Sequence, residues 1–353
     1  MIALIFGTRP DAIKVGPVKA ALDAQGVENV VLCTGQHTTL LAGTPAETDL
    51  RNAESLGLAS DGNVLRWLRE AERALAGRLK ALAPTVVAVQ GDTMTALAGA
   101  RAALAAGIPV AHIEAGVRSH AAEPWPEEAN RVEITTLAAR HYAPTSTAFG
   151  NLVAEGIDPA AILVTGNTVV SALARYSPAQ PVKEPESVIL VTLHRREMQH
   201  PAVVAALTEG ITKSAEMFPG VKFVWPLHPA VRRVYDVAQH AHRATNVAVC
   251  QPLGYEVATV LLARALGVIT DSGGLVEEAA TLGVPAIIVR AVNDRPEAVE
   301  AGVARLCEVS ENGVVMAAHW LVRRGMPRRA SGVYGGPEAA MLVARDLATL
   351  EAR

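Results

Sequence analysis

Residues Leu266–Glu278 read LGVITDSGGLVEE, an apolar run that ends in a polar cluster with two adjacent glycines. The apolar part is typical of a buried parallel strand, and the segment after Gly274 has the pattern of a helix. Gly273 and Gly274 let the backbone approach a ligand closely, and the first N–H groups of a helix favour phosphate. An ordinary N-cap and tight turn is the alternative, because Asp and Ser are common caps. The segment predicts a strand–turn–helix unit with a phosphate-binding edge.

The same alternation of apolar runs and helical patterns continues through both halves of the chain. We predict strands at 2–6, 29–34, 85–90, 108–113, 141–143 and 161–165, and then at 187–193, 221–226, 246–250, 266–270, 285–289 and 303–306. This order favours an α/β protein built from βαβ units, with parallel sheets covered on both faces. Open α/β sheets bind ligands at the carboxyl ends of their strands. We therefore expect the chemistry of this protein to lie between two such sheet edges.

The length of 353 residues exceeds what one hydrophobic core usually supports, so two domains are expected. Three prolines between Ser177 and Pro185 are typical of a stiff connector. We predict an N-terminal domain at 1–170, a C-terminal domain at 171–336, and a final helix at 337–353 that could return to the N-terminal domain. The region Thr44–Asn63 has no regular pattern and receives no assignment.

Charge and composition argue against several classes of partner. The net charge of −3 gives no general attraction to nucleic acid or to an anionic membrane. No apolar run reaches membrane-spanning length, and the N-terminus lacks a secretory signal. The three cysteines match no zinc or redox spacing. We expect a cytoplasmic protein without disulfides that binds neither nucleic acid nor membrane.

Charged side chains follow the predicted strands of the first half. Arg9 and Lys14 follow the first strand and are suited to phosphate, although a solvated helix start is the alternative. Asp92, Glu114 and Glu127 could converge on one site, where carboxylates near a bound anion suit acid–base work. For Glu127, the alternative is a helix start with a pair to Arg131 at i+4.

Two histidines follow predicted strands in the second half. His194 lies in the sequence HRRE, where adjacent cations favour a functional role over a structural one. His228 lies between prolines that could simply form a rigid turn. Glu278 lies one turn into its helix and could accept hydrogen bonds from ribose hydroxyls. His112 and Glu114 lack a third ligand at convincing spacing, so no metal is predicted. A GxGxxG fingerprint is missing, which disfavours a nicotinamide cofactor. A Walker P-loop is missing as well.

Taken in order, these motifs resemble those of the non-hydrolysing UDP-N-acetylglucosamine 2-epimerases over nearly the whole chain. The matching words are GTRPDAIK (7–14), TGQH (34–37), QGDT (90–93), HIEAGVR (112–118), PEEANR (126–131), GNT (166–168), TLHRRE (192–197), TDSGGLVEE (270–278) and RPE (295–297). The resemblance implies an α/β protein with two Rossmann-like domains whose parallel sheets face a central cleft, which is glycosyltransferase type B architecture. It also implies a homodimer and no metal or nicotinamide cofactor. It implies interconversion of UDP-GlcNAc and UDP-ManNAc, by elimination of UDP to a 2-acetamidoglucal and re-addition, in surface polysaccharide synthesis.

The resemblance also implies roles for individual residues. The catalytic candidates are Asp92, Glu114, Glu127 and His194. The substrate-binding candidates are Arg9, Lys14, Arg131, His228, Ser272, Gly273, Gly274, Glu278 and Arg295. Gln36 and His37 are candidates for an allosteric site, because members of the family are activated by a second UDP-GlcNAc.

This chain departs from the family pattern at several positions. Asp11 replaces a usual glutamate, Asn293 and Asp294 precede Arg295 where the family usually reads TE, and Ala258 replaces an aromatic residue expected near the uracil. The departure at Ala258 leaves base specificity open. A 2-epimerase of a modified UDP-sugar of the 2,3-diacetamido uronic acid type, a hydrolysing epimerase, a type B glycosyltransferase and a nucleotide-sugar sensor remain alternatives.

Overall fold

The computed structural model describes residues 1–35, 41, 43–58, 62–122, 125–180, 184–237, 244–324 and 330–351. The chain divides into two compact units. Unit 1 comprises Met1–Tyr176 with Tyr334–Arg353, and unit 2 comprises Ser177–Val333. Within the described residues, no helix combines the length and the apolar character needed to cross a bilayer.

Unit 1 alternates strands and helices. Its first part contains β1 (Ile2–Phe6), α1 (Arg9–Ala24), β2 (Asn29–Cys33), α2 (Glu47–Leu50), β3 (Glu54–Ser55), α3 (Val64–Leu82) and β4 (Val86–Gln90). Its second part contains α4 (Met94–Ala105), β5 (Val110–Ile113), α5 (Glu127–Leu137), β6 (Arg140–Ala143), α6 (Ser146–Ala154), β7 (Ile162–Val164) and α7 (Thr168–Tyr176).

In the described part of unit 1, the strands form a seven-stranded parallel sheet in the order β3-β2-β1-β4-β5-β6-β7. All five residues of β1 and of β4 are buried, as expected for central parallel strands covered on both faces. The short strand β3 lies in the region that the sequence left unassigned. The adjacent strands β1, β4 and β5 bring their carboxyl ends to one edge of the sheet.

Unit 2 repeats this plan. It contains β8 (Glu186–Thr192), α8 (Pro201–Met217), β9 (Lys222–Pro226), α9 (Pro229–Val237), β10 (Val247–Cys250), α10 (Tyr255–Arg264), β11 (Ala265–Thr270), α11 (Gly273–Leu282), β12 (Ala286–Val289), α12 (Pro296–Glu300), β13 (Ala304–Cys307) and α13 (Glu311–His319). Over the described residues the sheet is parallel, in the order β10-β9-β8-β11-β12-β13. The adjacent central strands β8 and β11 end at Thr192 and Thr270, so His194 and Asp271, which follow them, lie at one edge of the sheet.

The last helix, α14 (Ala339–Glu351), belongs to unit 1 and packs against α1. Asp346 on this helix accepts hydrogen bonds from the Tyr142 hydroxyl at 2.9 Å and from Arg140 Nε at 2.7 Å. These contacts join the C-terminal helix to strand β6.

Candidate functional site

Two predicted catalytic carboxylates follow the neighbouring strands β4 and β5 in unit 1. Asp92 lies in the turn after β4, and Glu114 directly follows β5 with a φ of 66°. The buried ammonium of Lys14 donates to the Glu114 carboxylate, which also accepts from Gln90 Nε2 at 2.8 Å. Sheet order therefore brings one predicted phosphate-binding cation into contact with a predicted acid–base group.

Asp92 is held by residues of helix α5. Arg131 Nη2 lies 2.5 Å from its carboxylate, and Asn130 Nδ2 donates to its backbone carbonyl at 2.8 Å. Arg131 is buried and also pairs with Glu128 at 3.1 Å. The side chain predicted to bind substrate is thus engaged with two carboxylates in this structure.

Glu127 is the first residue of helix α5, with Pro126 at the N-cap after a cis Trp125–Pro126 bond. Among the described residues, its Oε2 is buried without a hydrogen-bond partner. A buried carboxylate oxygen without a donor is costly, because desolvation is not offset. This oxygen is therefore suited to accept a hydrogen bond from a ligand hydroxyl.

The predicted phosphate-binding turn after β1 begins helix α1 at Arg9. Thr8 is the N-cap and forms a capping box with Asp11, which fixes the start of the helix. Arg9 is exposed, whereas Lys14 is buried one turn further along. A cation at a helix N-terminus opposes the helix dipole, so the position of Arg9 favours an anionic partner.

His112 supports the turn that carries Asp92. Its Nε2 lies 2.8 Å from the carbonyl oxygen of Gly91, which has a φ of 67°. Burial lowers the pKa of His112 to about 4, so the ring is neutral and Nε2–H donates to this carbonyl. Among the residues that the structure describes, no group of three or more His, Cys, Asp or Glu could hold a metal ion.

In unit 2, His194 contacts a residue that was not among the predicted candidates. His194 Nδ1 lies 3.1 Å from Asp271 Oδ1. Asp271 Oδ2 accepts from the backbone N–H groups of His194 at 2.7 Å and Arg195 at 2.8 Å. Burial raises the pKa of Asp271, but these contacts with His194 and Arg195 hold it below its usual range. A charged carboxylate therefore lies against the Nδ1 side of the imidazole.

His228 lies beside His194, with the ring centroids 5.8 Å apart. Burial, and then the nearby His194, lower the pKa of His228. Both rings line a pocket of about 180 Å³ in unit 2, together with Leu253 and Ala258. Ala258 stands where the resemblance led us to expect an aromatic residue. Its methyl group forms part of the wall of this pocket.

The glycine-rich turn after β11 begins helix α11. Ser272 is its N-cap, and Gly273 packs against the guanidinium of Arg295. Arg295 is buried, and it contacts Glu277 at 2.6 Å and Asp294 at 2.8 Å. Glu278 is buried in the second turn of α11, and a Cβ at Gly274 would meet no atom of the described residues within 4 Å. The turn thus provides a helix N-terminus with open space at its second glycine.

Gln36 and His37, the candidates for an allosteric site, lie outside the described residues. Asp271, His112, Asn130 and Glu128 were not among the predicted site residues, although all four lie within the matching motifs. Their roles depend on which strands and helices are neighbours, and this is not visible in local sequence patterns.

Comparison with known proteins identifies the class. The profile of the UDP-N-acetylglucosamine 2-epimerase family matches residues 20–348. A probable UDP-N-acetylglucosamine 2-epimerase of Ralstonia nicotianae is 36% identical over 98% of both chains. The crystal structure of the Neisseria meningitidis UDP-GlcNAc 2-epimerase bound to UDP-GlcNAc has a TM-score of 0.87 at 30% identity, covering 99% of both chains. A Methanocaldococcus jannaschii UDP-GlcNAc 2-epimerase in complex with UDP-GlcNAc and UDP has a TM-score of 0.87 at 29% identity, again over 99% of both chains.

These similarities define a nucleotide-sugar isomerase with the two-sheet α/β fold of the glycosyltransferase type B kind. The chain belongs to the UDP-N-acetylglucosamine 2-epimerase family. The family, the fold class and the enzyme class predicted from the motifs are confirmed.

Proposed function

We propose that the protein interconverts UDP-GlcNAc and UDP-ManNAc by elimination and re-addition of UDP. A base removes the proton from C2 of the sugar, and this electron pair forms the C1=C2 double bond. The C1–O bond breaks, and its electron pair leaves with the β-phosphate of UDP. Protonation of C2 from the opposite face and attack of the β-phosphate oxygen on C1 then give the epimer. No oxidant or metal is needed to balance these steps.

Residues of unit 1 would carry the proton transfers. Asp92, Glu114 and Glu127 are the candidates for the groups that act on C2. The observation that supports this assignment best is the Oε2 of Glu127, which is buried and has no hydrogen-bond partner within the described part of the chain, because a positioned carboxylate oxygen can take part in proton transfer at carbon. The contact between Lys14 and Glu114 supports a coupled role, in which the ammonium balances either the carboxylate or the departing diphosphate.

Residues of unit 2 would bind and stabilise the diphosphate. The N-terminus of α11, with Ser272, Gly273 and Gly274, offers N–H groups to phosphate oxygens. Arg295 would add positive charge, and Glu278 would accept from ribose hydroxyls. His194, oriented by Asp271, would exchange a proton with the leaving oxygen, and His228 lies beside it.

The reaction is tested by incubating the protein with UDP-GlcNAc in deuterated water and following C2 by NMR. Deuterium at C2 of both UDP-GlcNAc and UDP-ManNAc is the expected result. Release of free ManNAc and UDP would identify a hydrolysing epimerase, and transfer to an acceptor without exchange at C2 would identify a glycosyltransferase. Exchange only with a 2,3-diacetamido uronic acid derivative would identify the modified sugar as the substrate.

We also propose that the protein forms a homodimer, as the resemblance to the family implies. Light scattering coupled to size-exclusion chromatography tests this directly, because the monomer mass is 36.9 kDa. A single species at twice this mass is expected, and a monomer at micromolar concentration would contradict the proposal.

A further inference from the structure

Asp11 joins two turns at the sheet edge of unit 1. Its Oδ2 accepts hydrogen bonds from the backbone N–H groups of Gly7 at 3.3 Å and Thr8 at 3.1 Å. The same oxygen accepts from the Thr93 hydroxyl at 3.2 Å. Gly7 and Thr8 form the turn after β1, and Thr93 directly follows Asp92 after β4. One buried carboxylate thus connects the turn before Arg9 to the turn that carries Asp92.

The Thr93 hydroxyl has two bonds that set the position of Asp92. It donates to Asp11, and it accepts from the backbone N–H of Ala96 at 3.3 Å as the N-cap of α4. On the other side, Asn130 and Arg131 hold the carbonyl and the carboxylate of Asp92. Asp92 is therefore held on one side through the neighbouring Thr93 and on the other side by residues of helix α5.

We propose that Asp11 is a positioning residue for Asp92, acting through its hydrogen bond from Thr93. The inference rests on the proposed role of Asp92 in proton transfer at C2. A displacement of about 1 Å in a catalytic group can cost about 100-fold in rate. Asp11 sets the distance between the two turns, because it is bonded to the backbone of one and to the side chain of the other.

The electrostatics of Asp11 are consistent with this role. Burial, with a smaller contribution from the nearby charge of Asp92, raises the pKa of Asp11 to about 7 despite the hydrogen bonds from Thr8 and Gly7. A full negative charge is therefore not required for the contact at neutral pH. An uncharged side chain with an acceptor oxygen in the same place should preserve it.

The test compares Asp11→Ala, Asp11→Asn, Thr93→Val and the double variant Asp11→Ala/Thr93→Val in the epimerisation of UDP-GlcNAc. For Asp11→Ala and Thr93→Val we expect kcat to fall about 10- to 100-fold with KM within about threefold of wild type. Asp11→Asn should restore kcat to within about threefold of wild type. The double variant should be no slower than the slower single variant, because both changes remove one contact.

Thr145→Val is the matched control. Thr145, which is buried, is likewise an N-cap in unit 1, and its hydroxyl accepts from Ala148 N–H at 3.0 Å as that of Thr93 accepts from Ala96. The Thr145→Val variant should lose stability as Thr93→Val does, but its kcat should stay at the wild-type value. If Asp11→Ala does not fold, Thr93→Val and its control carry the test.

The outcomes separate this inference from the proposed function. Wild-type kcat in Asp92→Asn would refute the role of Asp92 itself. A large loss in Asp92→Asn with unchanged kcat in Asp11→Ala and Thr93→Val would refute only the positioning role. Multiplicative losses in the double variant, or a lowered melting temperature with normal kcat in the folded Asp11→Ala protein, would also overturn it.

Discussion

The ammonium of Lys14 donates to the carboxylate of Glu114, although the two residues are 100 positions apart in the chain. Both side chains are buried, and both were predicted to serve the substrate. The opposite charges of a buried lysine and a buried carboxylate in contact offset each other, so the pair adds little net charge to the site. Any anion that binds Lys14 must compete with Glu114.

Replacing Lys14 with Met should destabilise the protein by about 3–5 kcal/mol, because Glu114 loses its cationic partner while remaining buried. The matched control is Lys19→Met on the same helix, whose partner Asp23 is half-exposed. That change should cost less than about 1 kcal/mol. Denaturant unfolding of the two variants measures the difference. Equal losses would show that the Lys14–Glu114 pair is solvated.

The raised pKa of Asp11 predicts a pH dependence of stability. The folded state holds this proton up to about pH 7, whereas the unfolded state releases it near pH 4. Stability from this group is therefore fully present below about pH 4 and is lost as the pH rises through 7. At about 1.4 kcal/mol per unit of difference in pKa, the loss is on the order of 4 kcal/mol.

Asp11→Asn has no such proton, so it isolates this contribution. Between pH 5 and pH 8 the melting temperature of the wild type should fall relative to that of Asp11→Asn. Parallel curves for the two proteins would contradict the raised pKa.

The contact between Asp271 and His194 predicts a catalytic effect of a residue that touches no substrate. Asp271→Asn keeps the size of the side chain but removes the charge that orients Nδ1 of the imidazole. We expect kcat of Asp271→Asn to fall at least about 10-fold. The kcat of His194→Ala should fall by about 10²- to 10⁴-fold. Asp158→Asn, which changes an exposed cap in unit 1, is the control and should keep wild-type kcat. Normal turnover in His194→Ala would reject the assignment.

Gly273→Ala should weaken the binding of UDP about 10-fold. A Cβ at Gly273 would lie 2.6 Å from the guanidinium of Arg295, which Glu277 and Asp294 hold in place. The guanidinium must therefore move, and the N-terminus of α11 loses its packing. Gly150→Ala is the control, because a Cβ there meets no atom within 4 Å. Calorimetric titration with UDP measures the change, and equal affinity in both variants would contradict the role of Arg295.

The strands were predictable because their pattern is local. The run 2–6 has the observed bounds of β1, and the predicted segments overlap the other long strands in both units within a few residues. Strand β3 was missed because Glu54 and Ser55 are polar and pair only along the sheet edge with β2. The predicted cleft between the domains, the domain boundaries and the roles of individual site residues stay predictions.

The contacts around the candidate residues were not predictable in the same way. Asp271 contacts His194 because β8 and β11 are neighbours in the sheet, although 77 residues separate the two side chains in the sequence. Arg131 was expected near substrate or near Glu127, but it lies against Asp92 because α5 packs on α4, beside the turn after β4. Such pairings depend on strand order and helix packing.

By itself, the sequence determined the α/β alternation, the family and the kinds of chemical groups at the strand ends, because hydrophobic period and turn residues act over a few positions. Only the tertiary structure decided which of those groups contact each other: Lys14 with Glu114, Asp92 with Arg131, His194 with Asp271 and Asp11 with Thr93. The physical reason is that these contacts form between segments brought together by sheet order and core packing, at sequence separations where local propensity has no influence.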